Sequence, residues 1–285
     1  MMMQAYQSGA FFDAHGHLSF APEPERFAAW VTQKYAGAFS TTVSPADFTR
    51  AQQLFAPWES LKVGFGAHPW WVATGEVTAR DIEAVAAIIA RTPFIGEVGL
   101  DFGRNGGARS GFASEEEAKA AQVATLRAIL AACAQGDIVR PVFSFHAVRS
   151  ADVVLDLLQE YKLLSGSVPI FHWFSGSGAQ LQRARELGCC FSVNAFMLDS
   201  KRGREYAKAI PAEQLLVETD LPEGSDSTEG MDLLEGAQDT TSIDTFKETC
   251  AQYAAALDSA YEQLVALRGP RILSAIEQNI HRIFG

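Results

Sequence analysis

Residues 93–98 are Pro-Phe-Ile-Gly-Glu-Val, a short apolar run whose β-branched and aromatic side chains predict a buried strand. A helix is predicted next over Ser114–Gln135, because Ser114 is a good N-cap, three acids stand in the first turn and a glycine follows the end. Another apolar run, Arg140–Phe145, comes after that helix. A strand, a helix and a strand in this order predict two parallel strands joined by a right-handed crossover.

The same alternation extends in both directions along the chain. Eight apolar runs predict strands, over residues 10–14, 36–43, 61–67, 93–98, 140–145, 168–171, 188–193 and 214–218. Further helices are predicted over Ala79–Arg91 and Ala151–Leu164, and the tail Ile243–Phe284 predicts two helices broken at Gly269-Pro270. Such units predict an α/β fold, a (β/α)8 TIM barrel, as a single domain over 1–285. A doubly wound open sheet is the alternative, although no glycine-rich phosphate loop follows the first run.

Composition limits the partners and the location. The formal net charge is −11, and no basic run is present that would form a face for long duplex, so extended duplex binding is not expected. No apolar run approaches the roughly 20 residues that cross a bilayer, and Met1–Ala10 lacks the features of a signal peptide. We therefore expect a cytoplasmic protein without a membrane partner. The acidic segment Glu223–Asp244 predicts a long loop after the eighth strand.

Side chains that bind metal ions stand where several predicted strands end. His15 and His17 close the first run, and residues i and i+2 of an extended segment share a face, so both imidazoles can reach one ion. The other candidate ligands end later runs, and they are Glu97, His146, His172 and Asp220. Because the carboxyl ends of barrel strands meet on one face, these residues predict a divalent-metal centre and a metal-dependent hydrolase.

Five motifs in this order resemble those of the TatD family of metal-dependent deoxyribonucleases, within the amidohydrolase-like barrel group. They are Asp-Ala-His-Gly-His at 13–17, Gly-Ala-His-Pro at 66–69, Gly-Glu-Val-Gly-Leu-Asp at 96–101, His-Trp-Phe-Ser-Gly at 172–176 and Glu-Thr-Asp at 218–220. The C-terminal Asn279–Phe284 also resembles the closing helix of that family, so the resemblance runs from about residue 11 to the end. It implies a barrel, phosphodiester hydrolysis and one or two divalent metal ions (Zn, Mn, Mg, Ni or Fe). The partner would be short or single-stranded DNA or a small phosphoester.

The resemblance also implies roles for the candidate ligands. One metal would be bound by His15, His17 and Asp220, and the second by His146 and His172, with Glu97 bridging. The catalytic residues would be Glu97 and Asp220, with a hydroxide between the metals as nucleophile and Asp220 orienting it and accepting its proton. Asp13 and Asp101 are expected to orient ligating histidines, with capping as the alternative role.

Substrate contacts are predicted for a second set of residues at the strand ends, namely His68, Arg104, Arg149, Ser175 and Asn194. The arginines are the cations best placed for a phosphate, and the serine and asparagine offer further donors. For the histidine, a purely structural role is equally open. Trp70 and Trp71 are candidates for stacking a base, although packing is at least as common for such aromatics.

The loops that would face the substrate depart from the family pattern. Family members place an arginine two residues after the fifth-strand histidine, where this chain has Val148, with Arg149 one residue later. The acidic segment replaces a short motif that carries asparagine or arginine after Asp220-Leu-Pro222. Two alternatives to a nuclease therefore remain. One is a metal-dependent hydrolase of a small amide, lactone or phosphoester, and the other is a metal-binding protein without significant turnover.

Overall fold

Eight parallel strands make up one sheet in a computed structural model that describes residues 10–103, 111–222 and 242–285. The strands are β1 Phe12–Gly16, β2 Gly37–Thr41, β3 Leu61–Ala67, β4 Phe94–Asp101, β5 Val142–Val148, β6 Val168–His172, β7 Cys190–Val193 and β8 Leu215–Val217. Each strand pairs in parallel with its neighbour in sequence. Most strand residues are buried, as expected where helices cover a parallel sheet.

Helices fill the connections between the strands. Those among the described residues are α1 Pro24–Lys34, α2 Pro45–Phe55, α3 Pro69–Ala73, α4 Ala79–Ala84, α5 Ala86–Ile89, α6 Glu115–Ala134, α7 Ala151–Glu160, α8 Gly178–Glu186, α9 Ala195–Asp199, α10 Lys201–Ala209, α11 Ser242–Arg268 and α12 Arg271–Phe284. The predicted N-cap of α6 is confirmed, since the Ser114 hydroxyl accepts from the Glu117 N–H. Gly269, at φ +79°, ends α11 as the sequence predicts. None of the helices described is long and apolar enough to cross a membrane.

Backbone hydrogen bonds close the sheet into a barrel. The Asp220 N–H donates to the His15 carbonyl at 2.9 Å, and the His17 N–H donates to the Leu221 carbonyl at 2.9 Å. These bonds join β1 to the segment after β8, which an open doubly wound sheet would leave apart. The predicted (β/α)8 barrel is thus confirmed, and its closing seam lies beside two of the candidate ligands.

The last helix plugs the amino-terminal end of the barrel. The Phe284 ring of α12 lies 4.9 Å from that of Phe12 and 5.4 Å from that of Phe39, measured between ring centroids. Phe94 completes this aromatic cluster, at 6.1 Å from Phe284. Apolar rings thus fill this end of the barrel, and the candidate metal ligands lie toward the opposite, carboxyl end.

Two strand bulges shift the polar residues away from the simple alternation of an extended strand. Ile95 and Glu97 pair with consecutive residues of β5, so Gly96 is an additional residue in β4. One additional residue also lies in β1, between Asp13 and Gly16. The prediction that Glu97 ends its strand is therefore wrong, because β4 continues past the bulge to Asp101. The bulge re-aims the Glu97 side chain.

One predicted helix is divided in the structure, and one predicted loop lies almost wholly outside the described residues. The helix predicted over Ala79–Arg91 is divided into α4 and α5, because Val85 has φ −109° and ψ 11°, outside the helical range. The acidic loop predicted over Glu223–Asp244 lies almost wholly outside the described residues.

Close strand packing at Gly66 gives a first testable expectation. A Cβ on Gly66 would lie 1.4 Å from the Thr42 carbonyl oxygen, a backbone atom that no side-chain rotation can move. We expect Gly66→Ala to lower the free energy of unfolding by about 3 kcal/mol, the upper end for overpacking, as measured by urea denaturation. Gly178→Ala is the matched control, because nothing lies within 4 Å of its added Cβ. Equal stabilities of the two variants would contradict this packing.

Candidate metal centre

Glu97 lies at the centre of a buried cluster of histidines at the carboxyl end of the barrel. Its Oε1 is 3.0 Å from His146 Nδ1, 3.0 Å from His172 Nε2 and 3.2 Å from His68 Nε2. Its Oε2 faces a different histidine, at 3.2 Å from His17 Nε2. The two oxygens of one carboxylate therefore face two different groups of nitrogen atoms, which is the arrangement expected of a bridging ligand.

Asp220 completes the group on the Oε2 side of Glu97. Its Oδ1 is 3.4 Å from His15 Nε2 and 3.3 Å from His17 Nε2. The backbone of Asp220 is left-handed, at φ +60°, a conformation that Asp and Asn tolerate better than most residues. With 19% of its side chain exposed, Asp220 is more open to solvent than Glu97, at 3%.

Partners outside the cluster fix which nitrogen of His17 and His15 faces it. His17 Nδ1 lies 3.2 Å from the Thr41 carbonyl oxygen, which only accepts, so Nδ1 carries a proton and Nε2 is the nitrogen that faces Asp220 and Glu97. His15 Nδ1 lies 2.6 Å from the Ser144 hydroxyl, and its Nε2 is buried without a hydrogen-bond partner among the described residues. Both rings thus direct Nε2 toward Asp220.

His68 has the opposite arrangement. Its Nδ1 accepts a hydrogen bond from the Trp70 N–H at 3.1 Å, so the ring proton is on Nε2. The protonated Nε2 lies 3.2 Å from Glu97 Oε1, so this nitrogen presents an N–H to the cluster rather than a lone pair. His68 therefore lies beside Glu97 as a donor, and its contact with a substrate stays a prediction.

Asp101 faces His146, as the sequence predicts. Its Oδ2 is 3.4 Å from His146 Nε2 and accepts from the Trp70 indole N–H at 2.7 Å. Its backbone is held by Gln122, whose side-chain oxygen accepts from the Asp101 N–H at 2.8 Å. Trp70 is thereby engaged with the site through its indole nitrogen and is only partly exposed.

Asp13 accepts hydrogen bonds from the backbone rather than from an imidazole, which matches the capping role and not the alternative of orienting a histidine. Its Oδ1 accepts from the N–H groups of His15 and Thr219, each at 3.0 Å, and its Oδ2 accepts from the Thr219 hydroxyl at 2.5 Å. One buried carboxylate therefore links β1 to the segment after β8. Burial raises the pKa of Asp13 to about 6, although the bonds from Thr219 and His15 oppose this.

We expect Asp13→Ala to destabilise the closing seam of the barrel. Removing the carboxylate leaves the N–H groups of His15 and Thr219 buried without acceptors. Each such group destabilises the folded state by about 1–3 kcal/mol. The free energy of unfolding, measured by urea denaturation, should fall by about 2–5 kcal/mol. Asp13→Asn keeps one carbonyl oxygen that can accept from both N–H groups. Its free energy of unfolding should therefore fall clearly less than that of Asp13→Ala. Equal losses in the two variants would contradict this role.

Glu218 is a buried carboxylate behind His172. Its Oε1 accepts from the Trp173 N–H at 3.0 Å and from the Asn194 amide at 3.1 Å, and its Oε2 accepts from the Ser192 hydroxyl. Oε1 is 3.9 Å from His172 Nδ1. Burial raises the pKa of Glu218 to about 8. The sequence motif at 218–220 signals this residue, but its partners come from β6 and β7.

The carboxylates and imidazoles of the cluster perturb one another. Burial alone would lower the pKa of His17, but hydrogen bonds to Asp220 and Glu97 raise it well above its usual value. Burial would raise the pKa of Glu97, but the charges of His68 and His172 hold it well below its usual range. Burial lowers the pKa of His15 to about 4, which leaves that ring neutral near pH 7. The carboxylates thus raise the pKa values of His17, His146 and His172, which favours the charged forms of these rings, whereas the His15 ring stays neutral.

The cluster fits divalent cations. Three sets of donor atoms lie within 4.8 Å of one another, and they are His15, His17 and Asp220; His68, Glu97 and His146; and His15, His172 and Glu218. Besides His15 Nε2, His172 Nδ1 is buried with no hydrogen-bond partner in the described chain. Unpaired buried nitrogens are costly unless something binds them, and imidazole with carboxylate is the donor set of zinc, manganese, nickel and iron sites.

The residues predicted to contact substrate do not all converge on the cluster. Arg104 lies outside the described residues. Arg149 and Ser175 are exposed, past β5 and β6 respectively. Asn194 is buried, and its amide is bonded at both ends, as a donor to Glu218 and as the acceptor from the Met197 N–H that caps α9. Of the four that the structure describes, His68 contacts Glu97 and Asn194 contacts Glu218.

A profile of the protein family described as TatD related DNase matches residues 12–285. The chain belongs to this family. The TatD family resemblance in the five motifs is thereby confirmed over nearly the whole chain. The ligand-bearing strands β1, β4, β5 and β6 and the segment after β8 all lie within the match.

Named TatD proteins and solved structures agree with this assignment. The 3′-5′ ssDNA/RNA exonuclease TatD of Klebsiella pneumoniae (strain 342) is 33% identical over 198 residues, 65% of this chain and 66% of that protein. Its Escherichia coli (strain K12) counterpart is 32% identical over 194 residues, 65% of this chain and 67% of that protein. The matches therefore span about two thirds of each relative's length.

Two solved structures of TatD proteins share the fold. The TatD homolog YJJV of Escherichia coli K12 superposes with a TM-score of 0.65 at 20% identity, covering 96% of this chain and 97% of that chain. A TatD family hydrolase from Entamoeba histolytica superposes with a TM-score of 0.70 at 16% identity, covering 98% and 99%. These likenesses support the barrel.

Proposed function

We propose that this TatD-family chain is a divalent-metal-dependent phosphodiesterase that degrades single-stranded nucleic acid. The observation that carries the proposal is the position of Glu97, with one carboxylate oxygen toward His146 and His172 and the other toward His17. Such a carboxylate can serve two cations at once, and two-metal sites are a recurrent solution for phosphodiester hydrolysis. The names of the relatives, 3′-5′ ssDNA/RNA exonucleases, support the choice of substrate.

Two sets of ligands follow from the same geometry. His15, His17 and Asp220 would hold one cation, since their donor atoms lie together and Nε2 of both rings faces the carboxylate. His146 and His172 would hold the other, with Glu97 shared between the two. In the described strands, lysine occurs only as Lys62, near the amino-terminal start of β3, so no lysine at a carboxyl strand end there could replace this glutamate after carboxylation. A bridging glutamate therefore favours phosphodiesters over amides or lactones as substrates.

The side chains divide the remaining work. Divalent cations held here would supply Lewis acids that stabilise charge on the phosphoryl group and make water more acidic. Asp220, the more exposed carboxylate, orients the attacking water and accepts its proton. His68, whose protonated Nε2 lies 3.2 Å from Glu97 Oε1, is an N–H donor that we assign to the substrate. Arg149 is exposed and directly follows β5, and we assign its guanidinium group to a phosphate of the bound nucleic acid.

The protein's charge agrees with a short, single-stranded substrate. A net charge of −11 opposes a long polyanion, whereas a strand end reaches the site with few phosphates. We also propose that residues 1–285 act as one domain in the cytoplasm, as the sequence predicts.

Metal analysis and a 5′-labelled single-stranded oligonucleotide test the proposal together. We expect one or two divalent ions per chain, progressive shortening of the oligonucleotide from its 3′ end, and loss of activity after dialysis against a chelator. Adding zinc, manganese or nickel back should restore shortening, and a 3′-terminal phosphorothioate should slow it.

Two results would overturn the proposal. Full activity in protein shown to be metal-free would remove the metal from the mechanism. Metal-loaded protein that leaves the oligonucleotide intact would argue against a nuclease. In that case, turnover of a small amide, lactone or phosphoester would identify another hydrolase, and inertness toward all of them would identify a metal-binding protein without turnover.

A further inference from the structure

Two exposed aromatic rings lie together beside the metal centre. Four large apolar side chains are exposed in the part of the chain that the structure describes, and two of them are aromatic, Trp173 at 41% and Phe196 at 53%. Their rings stack, with centroids 5.9 Å apart and planes 15° apart. Trp173 directly follows His172, and Phe196 is two residues after Asn194 at the end of β7, so both rings lie at the carboxyl end of the barrel.

The two exposed aliphatic side chains lie elsewhere. Ile88 belongs to α5, and Val139 precedes β5 at the amino-terminal end of the barrel. Scattered single apolar side chains on a surface are normal and need no ligand. An exposed, mutually stacked aromatic pair next to a polar cluster differs from that background, because both rings retain area that a flat partner can cover.

The structure holds these rings in place through the metal centre itself. Glu218 Oε1 accepts both the Trp173 N–H at 3.0 Å and the Asn194 amide at 3.1 Å, so one carboxylate oxygen fixes the two segments that carry the rings. The same oxygen is 3.9 Å from His172 Nδ1. Trp173 has φ +37°, an uncommon conformation for a bulky residue that persists only where the surroundings impose it.

The segment after Trp173 is also anchored. Arg202 donates to the carbonyl oxygens of Ser175 and Gly176, and the Tyr206 hydroxyl donates to the Gly176 carbonyl at 2.9 Å. The Trp173 ring is therefore presented from a braced turn rather than from a free loop. A preorganised surface loses little conformational freedom when a ligand covers it.

We propose that Trp173 and Phe196 form a nucleobase-stacking surface, on which a base of single-stranded nucleic acid lies while the adjoining phosphate enters the metal centre. This inference rests on the proposed function and names the residues that recognise its substrate. A nucleotide carries an anion and a flat ring in one unit, which matches a cation-binding cluster with an aromatic pair at its edge. Stacking also adds affinity without basic side chains, which suits an acidic protein.

The stacking surface replaces the one predicted from the sequence. Trp70 bonds to Asp101 through its indole nitrogen, and Trp71 packs against the hydrophobic core. Trp173 and Phe196 were missed because they lie 23 residues apart in sequence and meet only when β6 and β7 are neighbours in the barrel.

Binding measurements with and without bases test the surface. The probes are a fluorescein-labelled dT hexamer with phosphorothioate linkages, which resists cleavage, and the same backbone with abasic residues, each titrated against manganese-loaded protein. We expect the wild type to bind the dT hexamer about tenfold or more tightly than the abasic one. Trp173→Ala should remove most of that difference, Phe196→Ala part of it, and Trp173→Phe should retain it. Ile88→Ala is the control and should change neither dissociation constant.

The outcomes of these measurements decide the inference. Equal affinity of the wild type for the two hexamers, or no binding of the dT hexamer at all, overturns it. A correctly folded Trp173→Ala variant that still prefers the dT hexamer as strongly as wild type also overturns it. Persistence of the base preference at raised salt supports stacking, since ionic contacts weaken there. If the preference is present but metal-loaded wild type cleaves no oligonucleotide, the nuclease proposal fails and the stacking surface stands.

Discussion

Glu97→Gln should lower kcat/KM on single-stranded DNA by about 10³-fold or more, which corresponds to about 4 kcal/mol of transition-state stabilisation. Glu97 lies within 3.2 Å of one nitrogen on each of His17, His68, His146 and His172, so its charge serves the whole cluster. Glutamine keeps the shape of the side chain but removes its charge. One accepting oxygen is also replaced by an NH2 group, which can only donate and would face histidine nitrogens. The bound metal should therefore fall by at least one ion per chain.

Kinetics on the 5′-labelled oligonucleotide and elemental analysis of the same preparation check this expectation. Glu59→Gln is the matched control, since Glu59 is exposed and precedes β3 at the opposite end of the barrel. That variant makes the same chemical change and should keep both activity and metal content. A Glu97→Gln protein with a full complement of metal and wild-type turnover would refute the bridging role.

Asp220→Asn should lower kcat by about 10²- to 10³-fold, in the range for loss of a general base, with a smaller change in KM. Asparagine is the informative substitution because Asp220 is left-handed at φ +60°, a conformation that asparagine also tolerates. The backbone bond from the Asp220 N–H to the His15 carbonyl can remain. Alanine would add backbone strain and so confuse a loss of chemistry with a loss of folding.

Steady-state kinetics and thermal unfolding of this variant, measured side by side, separate the two effects. The melting temperature of Asp220→Asn should stay close to that of the wild type while kcat falls. Asp137→Asn, at an exposed site before β5, controls for the change of charge. If kcat is unchanged while the melting temperature falls, Asp220 has a structural role and another group accepts the proton.

Much of the site could be predicted because the candidate ligands follow hydrophobic strands, and parallel barrel strands bring their carboxyl ends to one face. His15 and His17 are close in sequence, so a local rule suffices for them. Glu97 and His68 were harder. Their roles depend on the bulge at Gly96 and on the Trp70 N–H that occupies His68 Nδ1, and neither is visible as a residue pattern.

The residues that hold the candidate ligands in place were not predicted from the sequence, for a related reason. Ser144, which holds the His15 ring, stands in the middle of β5 and resembles any small strand residue in the sequence. Asp13 and Thr219 meet although they are 206 residues apart, because closing the barrel brings β1 beside the segment after β8. Contacts of such separation arise from topology and leave no local signal.

The order of strands and helices, the barrel, the family and the set of histidines and carboxylates that could bind metal all follow from the amino-acid sequence. These depend on hydrophobic periodicity and on residue chemistry, both of which are local. Three features required the folded chain: how the two oxygens of Glu97 are shared, which nitrogen of each ring faces the centre, and which aromatic rings are exposed near it. Those features depend on bulges and on neighbours from distant strands, since distances of about 3 Å are set only when all eight strands are in register.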